Sequence, residues 1–137
     1  MAVPTKPLPS EFNADELDQP FWDAAAQHRL VVHQCKVCKR RYWPASSCVQ
    51  HGDKDMEWVP VSGRAKVYTY TVFHRPFLIE RQKEVPYNVA VVELEEGPLM
   101  FTNIVGCANS DIKIGMSVRV VWEDVQPGVT LPKFSPA

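Results

Sequence analysis

Four candidate metal ligands in close succession constrain this chain most: Cys35-x2-Cys38, nine intervening residues, then Cys48-x2-His51. Tetrahedral zinc takes thiolate and imidazole ligands at about 2.0–2.3 Å. A C-x2-C turn delivers two thiolates to one side of an ion, and a second turn of matching length closes the tetrahedron. Three cysteines and one histidine fill all four positions, so the ion they imply is structural, not catalytic. His33 stands close by in sequence and competes with His51 for the fourth position. The other readings are three buried unligated thiols, a Cys35–Cys38 disulfide, and rubredoxin-type iron, which a histidine ligand disfavours. Clustered cysteines in a reducing compartment point to metal. The N-terminal stretch MAVPTKPLPSEFNADELDQP lacks an apolar signal core, and no run reaches the ~20 apolar residues of a membrane span. A cytoplasmic protein with no membrane contact is therefore expected.

Three parts are expected along the chain: an arm and helix over 1–29, the ribbon over 30–60, and a barrel with its C-terminal tail over 61–137. Residues 1–14 are Pro-rich and predict an extended arm. Over 15–28, Leu17, Phe21, Ala24, Ala25 and His28 form one apolar stripe at helical spacing, with Asp15 and Asp18 as caps and Pro20 in a first turn. LVVHQC predicts a strand, CKVCK a tight turn, RYWP a return strand and PASSCVQHG a second turn. From Gly63 onward the pattern is all-β, opening with GRAKVYTYTVFHR as a long strand rich in β-branched and aromatic residues. PYNVAVVELEEG alternates, with Ala90, Val92 and Leu94 on one face and Glu93 and Glu95 on the other. PLMFTNIVG follows a turn, ANSDIKIG supplies a turn or short helix, SVRVVWEDV turns Val118, Val120 and Trp122 inward, and VTLPKF ends as a short edge strand. Five strands with a helical link between the third and fourth predict a small barrel of the OB type, its core separate from the ribbon. The fold class is mainly β.

The formal net charge is −1, with 15 basic and 16 acidic residues, which excludes a polyanion binder acting through overall charge. Lys36, Lys39, Arg40 and Arg41 form the only basic cluster, a solvated face or a phosphate contact. Cys107 stands alone and reads as a buried structural thiol, since no nearby base or glycine-rich nest marks a nucleophile. His74 and Arg75 follow the first long barrel strand. No P-loop, GxGxxG, GxSxG or HExxH is present.

In order, PFWDAAAQHRL, the C-x2-C ribbon with Tyr42-Trp43-Pro44 between its knuckles, MEWVPVSGRAKVYTYTVFHRPF and IGMSVRVVWE resemble one family. These are the small acyl-CoA-associated proteins that join a rubredoxin-like zinc ribbon to an OB-fold, catalogued as the domain of unknown function thirty-five. The resemblance covers roughly residues 16–137; family members usually carry two C-x2-C pairs, where this chain has Cys48-x2-His51. It implies a non-catalytic accessory subunit that binds structural zinc and pairs with a thiolase-fold enzyme, or less often a hotdog-fold hydratase, in a hetero-oligomer. The partner does the chemistry on a coenzyme A thioester, and the small subunit borders the coenzyme A channel. On that basis His74 and Arg75 are channel candidates, and Phe21, Trp22, Leu131 and Phe134 are candidate anchors for the partner, on the expectation that they are exposed. The alternative is a single-stranded nucleic-acid binder that uses Tyr68, Tyr70 and Phe73, which a pI near 6.4 disfavours. A small electron-transfer metalloprotein is the third reading.

Overall fold

The computed structural model describes residues 16–76 and 79–137. The arm expected over 1–14 and the cap at Asp15 lie outside them.

Helix α1 (Gln19–Ala26) starts with Pro20 in its first turn, where the missing N–H has no helical partner to lose. Asp18 is its N-cap residue but makes no capping hydrogen bond through its side chain. Phe21, Ala24 and Ala25 are buried. The helix is shorter than the stripe in the sequence: Leu17 precedes it and is exposed, and His28 follows it. His28 ends the helix at φ 58°, a position glycine usually takes. Its N–H bonds to the Ala25 carbonyl, and the Arg29 N–H to that of Ala24, each at 2.9 Å. The His28 ring is stacked on Trp122, and its Nε2 lies 3.1 Å from an Asp124 carboxylate oxygen. Both contacts tie the helix end to the barrel.

Strand β1 (Val31–Cys35) is buried at every position because it is the centre of a three-stranded antiparallel sheet. β2 (Arg41–Tyr42) flanks it on one side and β3 (Met56–Pro60) on the other. β3 pairs with β1 from Val31 opposite Pro60 to Cys35 opposite Met56. No strand is expected over this segment from the sequence. Its first four residues are all half-buried, so no alternation marks it as a strand.

The second sheet has five antiparallel strands in the order β6-β5-β4-β7-β8. They are β4 (Arg64–Phe73), β5 (Tyr87–Leu94), β6 (Leu99–Thr102), β7 (Ser117–Gln126) and β8 (Val129–Pro136). In β5, Asn88, Ala90, Val92 and Leu94 are buried and the residues between them are not, as the alternation requires. A short 3-10 helix, Asn109–Asp111, links the third and fourth of these strands. β8 runs longer than VTLPKF and accommodates Pro132 because it is an edge strand. The sheet curls until its edges meet through one parallel bridge, Ile104 to Phe134. Buried Asn88 holds that crossing in place. Its Oδ1 accepts the Ile104 N–H at 2.7 Å, and its Nδ2 donates to the Ile104 carbonyl at 2.8 Å.

The ribbon and the barrel share one core. Phe21, Leu30, Val31 and Val32 belong to the same buried cluster as Val67, Val92, Leu94, Val118 and Phe134. This corrects the expectation of a separate barrel core. Helix α1 packs against both β1 and β8 and so fills the angle between the sheets. None of the described helices is long and apolar enough to cross a membrane.

Candidate metal centre

Cys35 closes β1, and the chain turns back at once. The Lys39 N–H bonds to the Cys35 carbonyl at 2.8 Å, and the Cys35 N–H to the Arg40 carbonyl at 2.9 Å. Such a tight return needs a left-handed residue, and Lys39 supplies it at φ 64°. The second knuckle is built alike: the N–H and carbonyl of Cys48 pair with those of Gly52, both at 2.9 Å.

These two turns bring Cys35, Cys38, Cys48 and His51 together, with their ligand atoms all within 4.8 Å of one another. Cys38 Sγ lies 3.6 Å from Cys48 Sγ, and His51 Nδ1 lies 3.6 Å from the sulfurs of both Cys35 and Cys48. A tetrahedron with zinc–sulfur bonds of about 2.3 Å has edges of about 3.8 Å, so the donor set fits that ion. Cys35 and Cys48 are buried and the other two donors are exposed. No disulfide joins these cysteines. His33 is not part of the cluster. It is buried, its Nδ1 donates to the Ala45 carbonyl at 2.7 Å, and its ring lies 3.5 Å from that of Trp58.

Donors around Cys48 favour its thiolate. The Tyr42 hydroxyl donates to its sulfur at 3.4 Å and the Gln50 N–H at 3.5 Å. The Tyr42 bond foremost, then the Gln50 N–H, pull the Cys48 thiol down to about 5. For Cys38 the largest single influence, the Arg40 N–H, lowers its pKa, but partial desolvation of the sulfur and the neighbouring thiols of Cys48 and Cys35 outweigh it and leave it raised. A metal ion displaces such protons when it binds. The supporting role of Tyr42 carried no sequence signal, because nothing in RYWP says where the hydroxyl will point.

The remaining sequence candidates lie elsewhere. His74 and Arg75 are exposed in the loop after β4. Cys107 is half-buried against the core. Phe21 and Phe134 are 6% and 0% exposed, which corrects their reading as exposed anchors: helix packing and barrel closure have already used both side chains. Trp22 and Leu131 are half-buried.

Comparison with known proteins fits this anatomy. The family described as ChsH2, C-terminal OB-fold domain matches residues 58–123. A DUF35 domain-containing scaffold protein of Methanocaldococcus jannaschii is 36% identical over 102 residues, covering 71% of this chain and 70% of that protein. The chain belongs to the DUF35 family. Its likeness to a chain of the solved Ltp2-ChsH2(DUF35) aldolase has a TM-score of 0.82 at 38% identity, covering 91% of this chain and 98% of the other. A "Probable enoyl-CoA hydratase alpha subunit" of Thermomonospora curvata is 43% identical over 122 residues. The match takes in 88% of this chain and only 38% of that relative, so this DUF35 chain corresponds to a minor part of its length.

Proposed function

We propose that this chain is a non-catalytic, zinc-binding accessory subunit of a cytoplasmic acyl-CoA-processing assembly. It docks on a thiolase-fold catalytic subunit and helps to form the channel for coenzyme A. The observation that carries this reading is the likeness, over 98% of its length, to a chain solved within an aldolase assembly. The hydratase relative supports acyl-CoA chemistry more broadly, but its counterpart of this chain is part of a much longer polypeptide.

Cys35, Cys38, Cys48 and His51 would hold the zinc ion, and its contribution is folding free energy. With four protein donors the site leaves no open position for substrate. Tyr42 and the Gln50 N–H orient and charge the Cys48 sulfur. His74 and Arg75, exposed beyond β4, would border the channel, with the Arg75 guanidinium paired to a coenzyme A phosphate.

Co-expression with thiolase-fold subunits tests the reading. The expected result is a stable hetero-oligomer containing one zinc per small chain, active on an acyl-CoA, while the small chain alone is inactive. Turnover by the isolated chain, or failure to assemble with any such subunit, would overturn it.

A further inference from the structure

Beside the metal centre lies a surface that the fold leaves uncovered. In β6, Met100 and Thr102 point into the core, while Leu99 and Phe101 point outward at 40% and 65% exposure. Pairing with β5 sets Phe101 opposite Val91, and Tyr68, 54% exposed, is the extra residue of a bulge in β4. Trp43 and Pro44 reach over from the ribbon and wall this apolar depression on the ribbon side. A second depression shares Trp43 and Leu99 with the first and is lined by three cations, Lys39, Arg40 and Arg41, against one anion, Glu96. The Arg40 guanidinium lies over the Tyr42 ring, 5.6 Å from its centre, which holds it at the ribbon surface. β6 pairs with β5, and its far end meets β8 through the Thr102 hydroxyl and the Ile104–Phe134 bridge, so what stays uncovered is its outward face. Two large outward apolar side chains on one short strand are a liability unless something covers them.

Resting on the accessory-subunit reading, we infer that this face, Trp43–Pro44 with Tyr68, Leu99 and Phe101, is where the catalytic subunit docks. The segment it receives is apolar, and aspartate or glutamate side chains flank it to meet Lys39, Arg40 and Arg41. Charge selects this occupant. Two copies of the chain meeting on this face about a twofold axis would bring like cations together. A nucleic-acid strand would pass Glu93, Glu95 and Glu96 at the adjoining end of β5, on a chain whose net charge is −1. Aromatic anchors ringed by charge are where interface energy concentrates.

The test uses the complex with the catalytic subunit, followed by calorimetric titration and hydrogen exchange. Phe101→Asp should weaken assembly about 100-fold while the free variant melts within a few degrees of the parent, because the side chain is mostly outside the core. Arg40→Glu should slow association and abolish most of its salt dependence. Backbone amides of residues 39–44 and 99–102 should gain protection in the complex. A parent complex whose affinity Phe101→Asp leaves unchanged, or protection confined to other segments, would overturn the docking face alone. Failure of the parent to assemble would overturn this inference together with the accessory-subunit reading. Self-association abolished by Phe101→Asp, or binding of a single-stranded RNA oligonucleotide abolished by Arg40→Glu, would overturn the choice of occupant.

Discussion

Cys48 receives hydrogen bonds from the Tyr42 hydroxyl and the Gln50 N–H, and these pull its thiol down to about 5. Removing the hydroxyl with Tyr42→Phe should lower zinc affinity about 10–100-fold and raise the Cys48 thiol from about 5 towards the ordinary range. Competition against a chelator and thiol titration of the apo chain read the two effects. Cys35→Ser and His51→Ala should each lose stoichiometric zinc. His33→Ala should keep the metal but lose about 1–3 kcal/mol, because it empties a buried site against Trp58 and removes the hydrogen bond to the Ala45 carbonyl. Metal loss in His33→Ala with retention in His51→Ala would move the fourth ligand to His33. A different pH response is expected at the helix end. The Thr130 hydroxyl first, and His28 second, hold Asp124 below the usual carboxylate range. Its contribution is thus present above the unfolded value of about 3.9 and is lost as pH falls through the lower folded value. Acid unfolding of Asp124→Asn, followed by circular dichroism, should be shallower than that of the parent below about pH 4. The difference should be small, since the Asp124 and His28 side chains are both exposed.

Where elements meet, two positions have no spare room. Gly63, at φ +84°, lies beneath β7, and a Cβ there would sit 2.5 Å from Val120 Cγ1. Gly63→Ala should cost about 2–3 kcal/mol in denaturant unfolding, from the left-handed backbone and the collision together. Adding Val120→Ala should recover part of that loss, which separates the collision from the backbone cost. Phe134 is fully buried where β8 meets Ile104 and the two sheet edges close. Phe134→Ala should cost about 3–5 kcal/mol. An effect below 1 kcal/mol would mean that the closure contributes little. β5 was legible in the sequence because a strand with one buried face must alternate. β3 was not, because a half-buried ribbon strand has no period to read.

Across the whole molecule, α1 joins two sheets over a continuous core, so the ribbon cannot come apart and leave the barrel intact. Stripping zinc should therefore unfold the chain in one transition, with tryptophan fluorescence and far-ultraviolet circular dichroism coinciding. Two separated transitions would restore the independent barrel that the sequence suggested. In the assembled enzyme, Arg75→Ala should raise KM for the acyl-CoA several-fold with assembly unchanged, a loss of about 1 kcal/mol or more from one charge-assisted contact. An unchanged KM would leave the chain a scaffold without a channel role.

Three cysteines of the candidate metal cluster and the succession of the barrel strands were determined by the sequence alone. Ligand spacing within a short turn is a local property, and alternation along a strand reports one covered face whatever covers it. Tertiary structure decided the rest. His51 was chosen over His33 because β1 carries His33 inward onto Trp58, away from the sulfurs. Phe21 and Phe134 went to the core, whereas Phe101, equally apolar, was left in solvent by a register that turns Met100 inward beside it. An aromatic side chain gives the same signal in sequence in either environment. Only the packing of the two sheets and the helix assigns it a side.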